Sequence, residues 1–170
     1  MKKIIKVYTV FKFDELSETA KQKALEKLWD INVDNEWWEC IYGDAKDIGI
    51  EITAFDIDRG NMIEIKKNHS ELSIAQKIIE NHGVICDTYI LASKFIAAFN
   101  LLEEQQEKEY TRERQEDEGI LCDDFIHNLK EEYLSTLKKE YEYQTSKEQI
   151  IESIRSNDYD FSEEGNFPAY

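Results

Sequence analysis

Proline and glycine are scarce in this chain, with one proline and six glycines among 170 residues. Little of it can therefore be linker or low-complexity segment, and long regular elements are expected. Cysteine is limited to Cys40, Cys86 and Cys122. An odd number, in a chain large enough to bury its own core, argues against a disulfide framework and fits a reducing cytoplasm. No apolar run approaches the roughly 20 residues that a bilayer span requires. The start, Met1 to Ile5, lacks the apolar stretch and small-residue cleavage site of a signal peptide. Catalytic signatures are missing as well: there is no Gly-x-Ser-x-Gly, no phosphate-binding glycine loop and no His-Glu-x-x-His, so neither an enzyme nor a cofactor is expected.

Positive charge is the largest shortage. Lys and Arg number 21 against 37 Asp and Glu, a formal −16. Residues 101–170 hold 20 acids against 8 bases, so −12 of that charge sits in the last 70 residues. Such a surface repels nucleic-acid phosphates and membrane headgroups and attracts basic protein grooves. Direct nucleic-acid and membrane partners are thereby disfavoured, and a basic protein partner, for example one that itself binds nucleic acid, is favoured. The oligomeric state is not legible.

Apolar residues make up 41% of the chain, with 3 Trp, 9 Tyr and 8 Phe, enough for a real core. Val7 to Phe13 is β-branched and aromatic and reads as a strand. Ser17 is a good N-cap for a helix with apolar positions Ala20, Ala24, Leu25, Leu28 and Trp29. A second helix after Asn35 carries Trp37, Trp38, Ile41, Ala45 and Ile48 and stops at Gly49. Residues 50–58 and 62–66 alternate with period two around the turn Asp58-Arg59-Gly60-Asn61, a hairpin burying Ile50, Ile52 and Ala54 or their neighbours. Residues 1–66 thus read as one β-α-α-β-β unit, with two helices on a small antiparallel sheet.

The second part, 67–170, reads as mainly helical and continuous with the first in one domain. Leu72, Ala75, Ile78, Ile79 and His82 form a short helix stopped by Gly83. A helix is expected from about Thr88 to Arg114, apolar in its first half and polar in its second. After Gly119 an antiparallel return follows, with the stripe Phe125, Ile126, Leu129, Tyr133 and Leu137. Thr145-x-x-Glu148 has capping-box spacing for a last helix, and Tyr159-Asp160-Phe161 reads as a short final strand. The expected fold class is α+β, with a long antiparallel helix pair in the second half.

The segment Phe13-Asp14-Glu15-Leu16-Ser17-x-x-Ala20-Lys21-x-Lys23-Ala24 is followed by Glu36-Trp37-Trp38-Glu39-x-x-Tyr42-x-Asp44-Ala45-Lys46-x-Ile48-Gly49 and by Ile52 to Gly60. Together with Asn157 to Gly165, these segments resemble a family of small bacteriophage and prophage proteins, often labelled antitoxin-like. The resemblance covers about a third of the chain. It implies a phage accessory protein acting in the cytoplasm of a bacterial host, where blocking a host defence protein is a natural role. It carries no functional residue over.

Candidate contact residues come from the charge pattern. Glu103, Glu104, Glu107, Asp117 and Asp124 belong to an acidic run that could imitate a phosphate track and enter a basic groove, or else be a solvated helix face. Lys108, Arg112 and Arg114 interrupt that run. Adjacent Trp37 and Trp38 point about 100° apart on a helix, so one is expected in the core and the other at a rim or interface. Two alternatives remain: an antitoxin-like protein that neutralises a toxin by shape, and a binder that sequesters a nucleotide through Arg59, Lys66, Lys67, Lys138 and Lys139. His82 and Cys86 with Cys122 and His127 offer the residue types of a zinc site at poor spacing, and no metal is expected. Asp56 and Asp58 with Glu64 could pair across the hairpin, but read better as solvent-facing acids.

Overall fold

The computed structural model describes residues 7, 9–104 and 112–168. It is an α+β protein whose chain divides into two compact units: residues 1–37 with 140–170, and residues 38–139.

The first unit joins the two ends of the chain. Strand β1 (Phe11–Lys12) runs through a single 3-10 turn (Phe13–Glu15) into helix α1 (Glu18–Lys27). Ser17 caps α1, its hydroxyl accepting from the Ala20 N–H at 3.3 Å. The returning segment supplies α6 (Lys147–Ser156) and β4 (Asp160–Phe161). Strands β1 and β4 pair antiparallel, Phe11 opposite Phe161 and Lys12 opposite Asp160. Phe13, Leu16, Ala20, Ala24, Leu25 and Leu28 bury against Ile150, Ile154 and Phe161. Arg155 holds Asp14 through two guanidinium nitrogens at 2.6 and 3.1 Å, a fork geometry suited to a carboxylate. Gly165 has φ +76°, and a Cβ there would collide with the Ala20 carbonyl oxygen.

The second unit is continuous in sequence. Helix α2 (Glu39–Asp47) ends at Gly49, whose φ is +94°. Strands β2 (Ile50–Asp56) and β3 (Met62–Lys67) form an antiparallel hairpin. Its turn is organised by Asp56, whose carboxylate accepts from the backbone N–H groups of Asp58, Arg59 and Gly60 at 2.8–3.0 Å. The Gly60 and Asp58 bonds hold the Asp56 carboxyl below its usual range. Helix α3 (Glu71–Asn81) is capped by Ser70 and buries Ile74, Ala75 and Ile78. Helix α4 (Asp87–Glu104) pairs antiparallel with α5 (Arg112–Gln144), and Phe95 stacks on Phe125 with ring centroids 4.3 Å apart. The residues of α5 up to Lys139 belong to this unit, and those from Glu140 on to the other.

Several expectations change. β1 does not join the β2–β3 sheet; its partner is β4, from the far end of the chain, so residues 1–66 do not share one sheet. Ala54 is exposed, because the pairing shifts register between Ile52 and Ala54 and Phe55 takes the inward side. Trp29 lies past the end of α1 and is 52% exposed. Gly119 does not break α5: a glycine inside a helix costs only about 1 kcal/mol relative to alanine, and buried Phe125, Leu129, Tyr133 and Leu137 repay that through packing. The cap of α6 is Ser146, which accepts from the Gln149 N–H, while the Thr145 hydroxyl donates back to the Tyr141 carbonyl at 2.8 Å.

Candidate functional site

Four side chains from four elements of the second unit converge on one cavity of about 560 Å³, within the roughly 300–1,000 Å³ usual for ligand pockets. In α2, Ala45 and Ile48 are fully buried, which leaves the adjacent Asp44 at the edge of the helix, half-exposed toward the cavity. In α5 the buried positions recur every fourth residue (Phe125, Leu129, Tyr133, Leu137). This spacing drives the Tyr133 ring into the core and carries its hydroxyl to Asp44, to which it donates at 2.7 Å. Burial, and then the negative charge of Asp44, pushes the Tyr133 phenol far above its ordinary value, so it remains a neutral donor.

His82 closes α3. Its backbone is extended (φ −96°, ψ 149°), and its N–H still bonds the Ile78 carbonyl at 2.8 Å. The turn through Gly83 to Cys86 then starts α4 and sets Thr88 in the first turn of that helix. His82 Nδ1 lies 2.7 Å from the Thr88 hydroxyl. The His82 side chain is only 9% exposed, with Nε2 3.4 Å from an oxygen of Asp44, whose side chain is 51% exposed. Yet Nε2 is buried with no hydrogen-bond partner, and it is the sole such side-chain atom among the described residues. An unpaired buried polar atom costs about 1–3 kcal/mol. Carboxylates predominate around the cavity: Asp44, Asp87 and Glu132 against Lys139. Cys40 and Cys86 also line it, both with exposed free thiols.

The candidate contact residues lie elsewhere in the fold. Glu103 and Glu104 are exposed at the C-terminal end of α4, and Asp117 and Asp124 are exposed on α5. Glu107, with Lys108 and Glu109, lies outside the described residues. Asp117, Asp124 and Glu131 are seven residues apart and all exposed, which puts them on one face at about 10.5 Å intervals. The tryptophans separate: Trp37 packs on Tyr141 in the first unit, centroids 5.6 Å apart, whereas Trp38 packs on Phe55 at 5.6 Å and Tyr42 at 6.4 Å in the second. Both are half-buried, so neither is the single core anchor that was expected.

Other constellations dissolve into local structure. Asp56 holds its own turn rather than pairing with Asp58 and Glu64. No group of three or more His, Cys, Asp or Glu is placed to hold a metal ion among the described residues. His127 is exposed, and burial raises the Cys122 thiol above its ordinary value. Three cations considered for phosphate binding are engaged by acids: Lys66 by Glu51 at 3.6 Å, Arg59 by Asp58 at 3.7 Å, and Lys67 by Glu71. Among the described residues, no helix is long and apolar enough to cross a membrane.

The Asp44, His82, Thr88 and Tyr133 cluster was missed as a unit by sequence reasoning. The one available signal was Tyr133 itself: a phenol in a buried stripe needs a partner for its hydroxyl. Comparison with protein-family models, with curated proteins and with solved structures gives no match.

Proposed function

We propose that this chain is a non-catalytic phage accessory protein that binds and inhibits a host defence protein through an acidic helical surface imitating nucleic acid. The observation that carries this reading is the character of residues 115–129. They hold five acids and no lysine or arginine, and four of those acids, Glu116, Asp117, Asp123 and Asp124, are exposed on α5. Ile120, 61% exposed, lies three and four residues from Asp117 and Asp124 and so shares their face. An apolar anchor within a charged rim suits a protein interface better than a purely solvated face. The charge would also speed encounter with a basic groove. The resemblance to small phage proteins supplies the setting.

The test is capture from a bacterial lysate with the wild type and an Asp117→Lys/Asp124→Lys variant, followed by affinity measurements on the captured partner across salt concentrations. A partner lost in the variant, with wild-type binding that weakens steeply as salt rises, is expected. Equal affinity and an equal salt slope for the two proteins would refute the acidic surface. Binding that is indifferent to salt but lost in Trp38→Ala would point instead to an antitoxin-like, shape-based interface.

A further inference from the structure

We infer that the outer face of α4 is a self-association surface, on which α4 of a second copy of this chain packs antiparallel. The inner side of α4 buries Ala92 and Phe95, and the opposite, solvent-facing stripe of such a helix is ordinarily polar. Here that stripe is Ile90, Lys94, Ala97 and Leu101, which fall within about 60° of one another around the helix axis. All four are exposed, Ile90 to 41% and Leu101 to 55%. Their 4-3-4 spacing is that of a coiled-coil seam. It also reads the same in both directions. A twofold axis between residues 95 and 96 therefore sets Ile90 against Leu101 of the second copy, and Lys94 against its Ala97. The large aliphatic side chains then cover each other at both ends. Small Ala97 leaves room for the Lys94 stem, whose ammonium runs out to the rim. Charge selects the occupant. Thr88 to Leu102 is the longest stretch of the chain without Asp or Glu, 15 residues whose one charge is Lys94. Two copies at −16 each repel one another across acidic surfaces, and least across this one. A basic partner gains nothing from it. Asp87 meets Glu104 of the second copy at each end, so apolar contact holds the pair against like-charge repulsion. A stripe of four side chains about 16 Å long covers less than the roughly 800 Å² per partner of stable complexes, so the association is weak and reversible.

The test is sedimentation velocity of the full chain, followed up to about 1 mM protein at low and high salt. A concentration-dependent dimer that tightens as salt rises is expected. That is the opposite sign to the acidic face of α5 meeting a basic partner, so failure of either reading leaves the other standing. Ile90→Glu/Leu101→Glu should weaken the dimer by about tenfold or more. It should keep the circular dichroism of the wild type, because both side chains are already exposed. Asp117→Lys/Asp124→Lys should not weaken the dimer. Direction is read by cross-linking in a Cys40→Ser/Cys86→Ser/Cys122→Ser background. Chains carrying Ile90→Cys and chains carrying Leu101→Cys should form a mixed disulfide dimer when oxidised together, and hardly any dimer when oxidised alone. This readout also stands if the double glutamate variant fails to fold. A monomer at every concentration and salt, a dimer unaffected by Ile90→Glu/Leu101→Glu, or each cysteine variant cross-linking with itself would overturn the surface.

Discussion

The two units of this chain solve the same problem, burying an apolar core, with opposite contact ranges. In the second unit neighbours in sequence are neighbours in space. β2 meets β3 across a five-residue turn organised by Asp56, and α3 and α4 are joined by the short link through Gly83. In the first unit the ends of the chain meet: Phe11 pairs with Phe161, Asp14 with Arg155, and Asn32 with both Gln144 and Ser153. Its sheet is only two residue pairs long. Order there rests on Phe13, Phe161 and the α1–α6 packing rather than on a ladder. Closing so long a loop carries an entropic cost that local contacts do not offset, so this unit is expected to depend more heavily on each of its few core residues.

The sharpest way to break that contrast is Phe161→Ala. Phe161 is fully buried against Phe13 and stacks on Phe167 at 5.7 Å. A loss of about 3–5 kcal/mol is expected, read by denaturant unfolding. Amide exchange should show lost protection in α1 and α6 well before α3 and α4; equal loss in both units would mean that they unfold as one. Gly165→Ala attacks the same unit through the backbone, by a left-handed φ and a collision with the Ala20 carbonyl. It should destabilise by about 1–3 kcal/mol in the same measurement.

In the second unit, Tyr133→Phe removes the hydroxyl donated to Asp44 and should cost about 1–2 kcal/mol. It should also change the alkaline limb of the stability profile. The folded phenol titrates above its unfolded value near 10, so above that pH the unfolded state has lost a proton that the folded state keeps. Stability therefore falls as pH rises, and the Phe variant should lack this part of the slope. An identical alkaline slope in the two proteins would contradict the burial of Tyr133. The smallest effect is expected from Gly119→Ala, where a new Cβ meets nothing within 4 Å on an exposed helical turn. It should stabilise by about 0.5–1 kcal/mol, seen as a higher denaturation midpoint.

Much of the second unit was legible from local pattern. The hairpin, the stop at Gly49, the helix ending at His82 and the Phe125, Leu129, Tyr133, Leu137 stripe all follow from period two, period 3.6 and turn chemistry. The candidate site was not legible, because Asp44, His82, Thr88 and Tyr133 are scattered over 90 residues and none has a distinctive neighbour in sequence. Their meeting depends on which faces α2, α3, α4 and α5 turn toward one another. The first unit was misread for a related reason. A two-residue strand such as β1 carries no mark of its partner, and the nearest strands in sequence were the natural guess.

By itself, then, the amino-acid sequence determined what local physics can decide: the order and type of most elements, the α+β class, and an acidic second half. It did not determine limits such as β1, expected over Val7 to Phe13 and found at Phe11–Lys12, or the start of α5, expected after Gly119 and found at Arg112. Tertiary structure alone decided that β1 pairs with β4 rather than with the hairpin. It alone set a buried imidazole nitrogen, without a partner, beside Asp44. Strand partners and convergent side chains are chosen by the packing of surfaces distant in sequence, and no local periodicity encodes that choice.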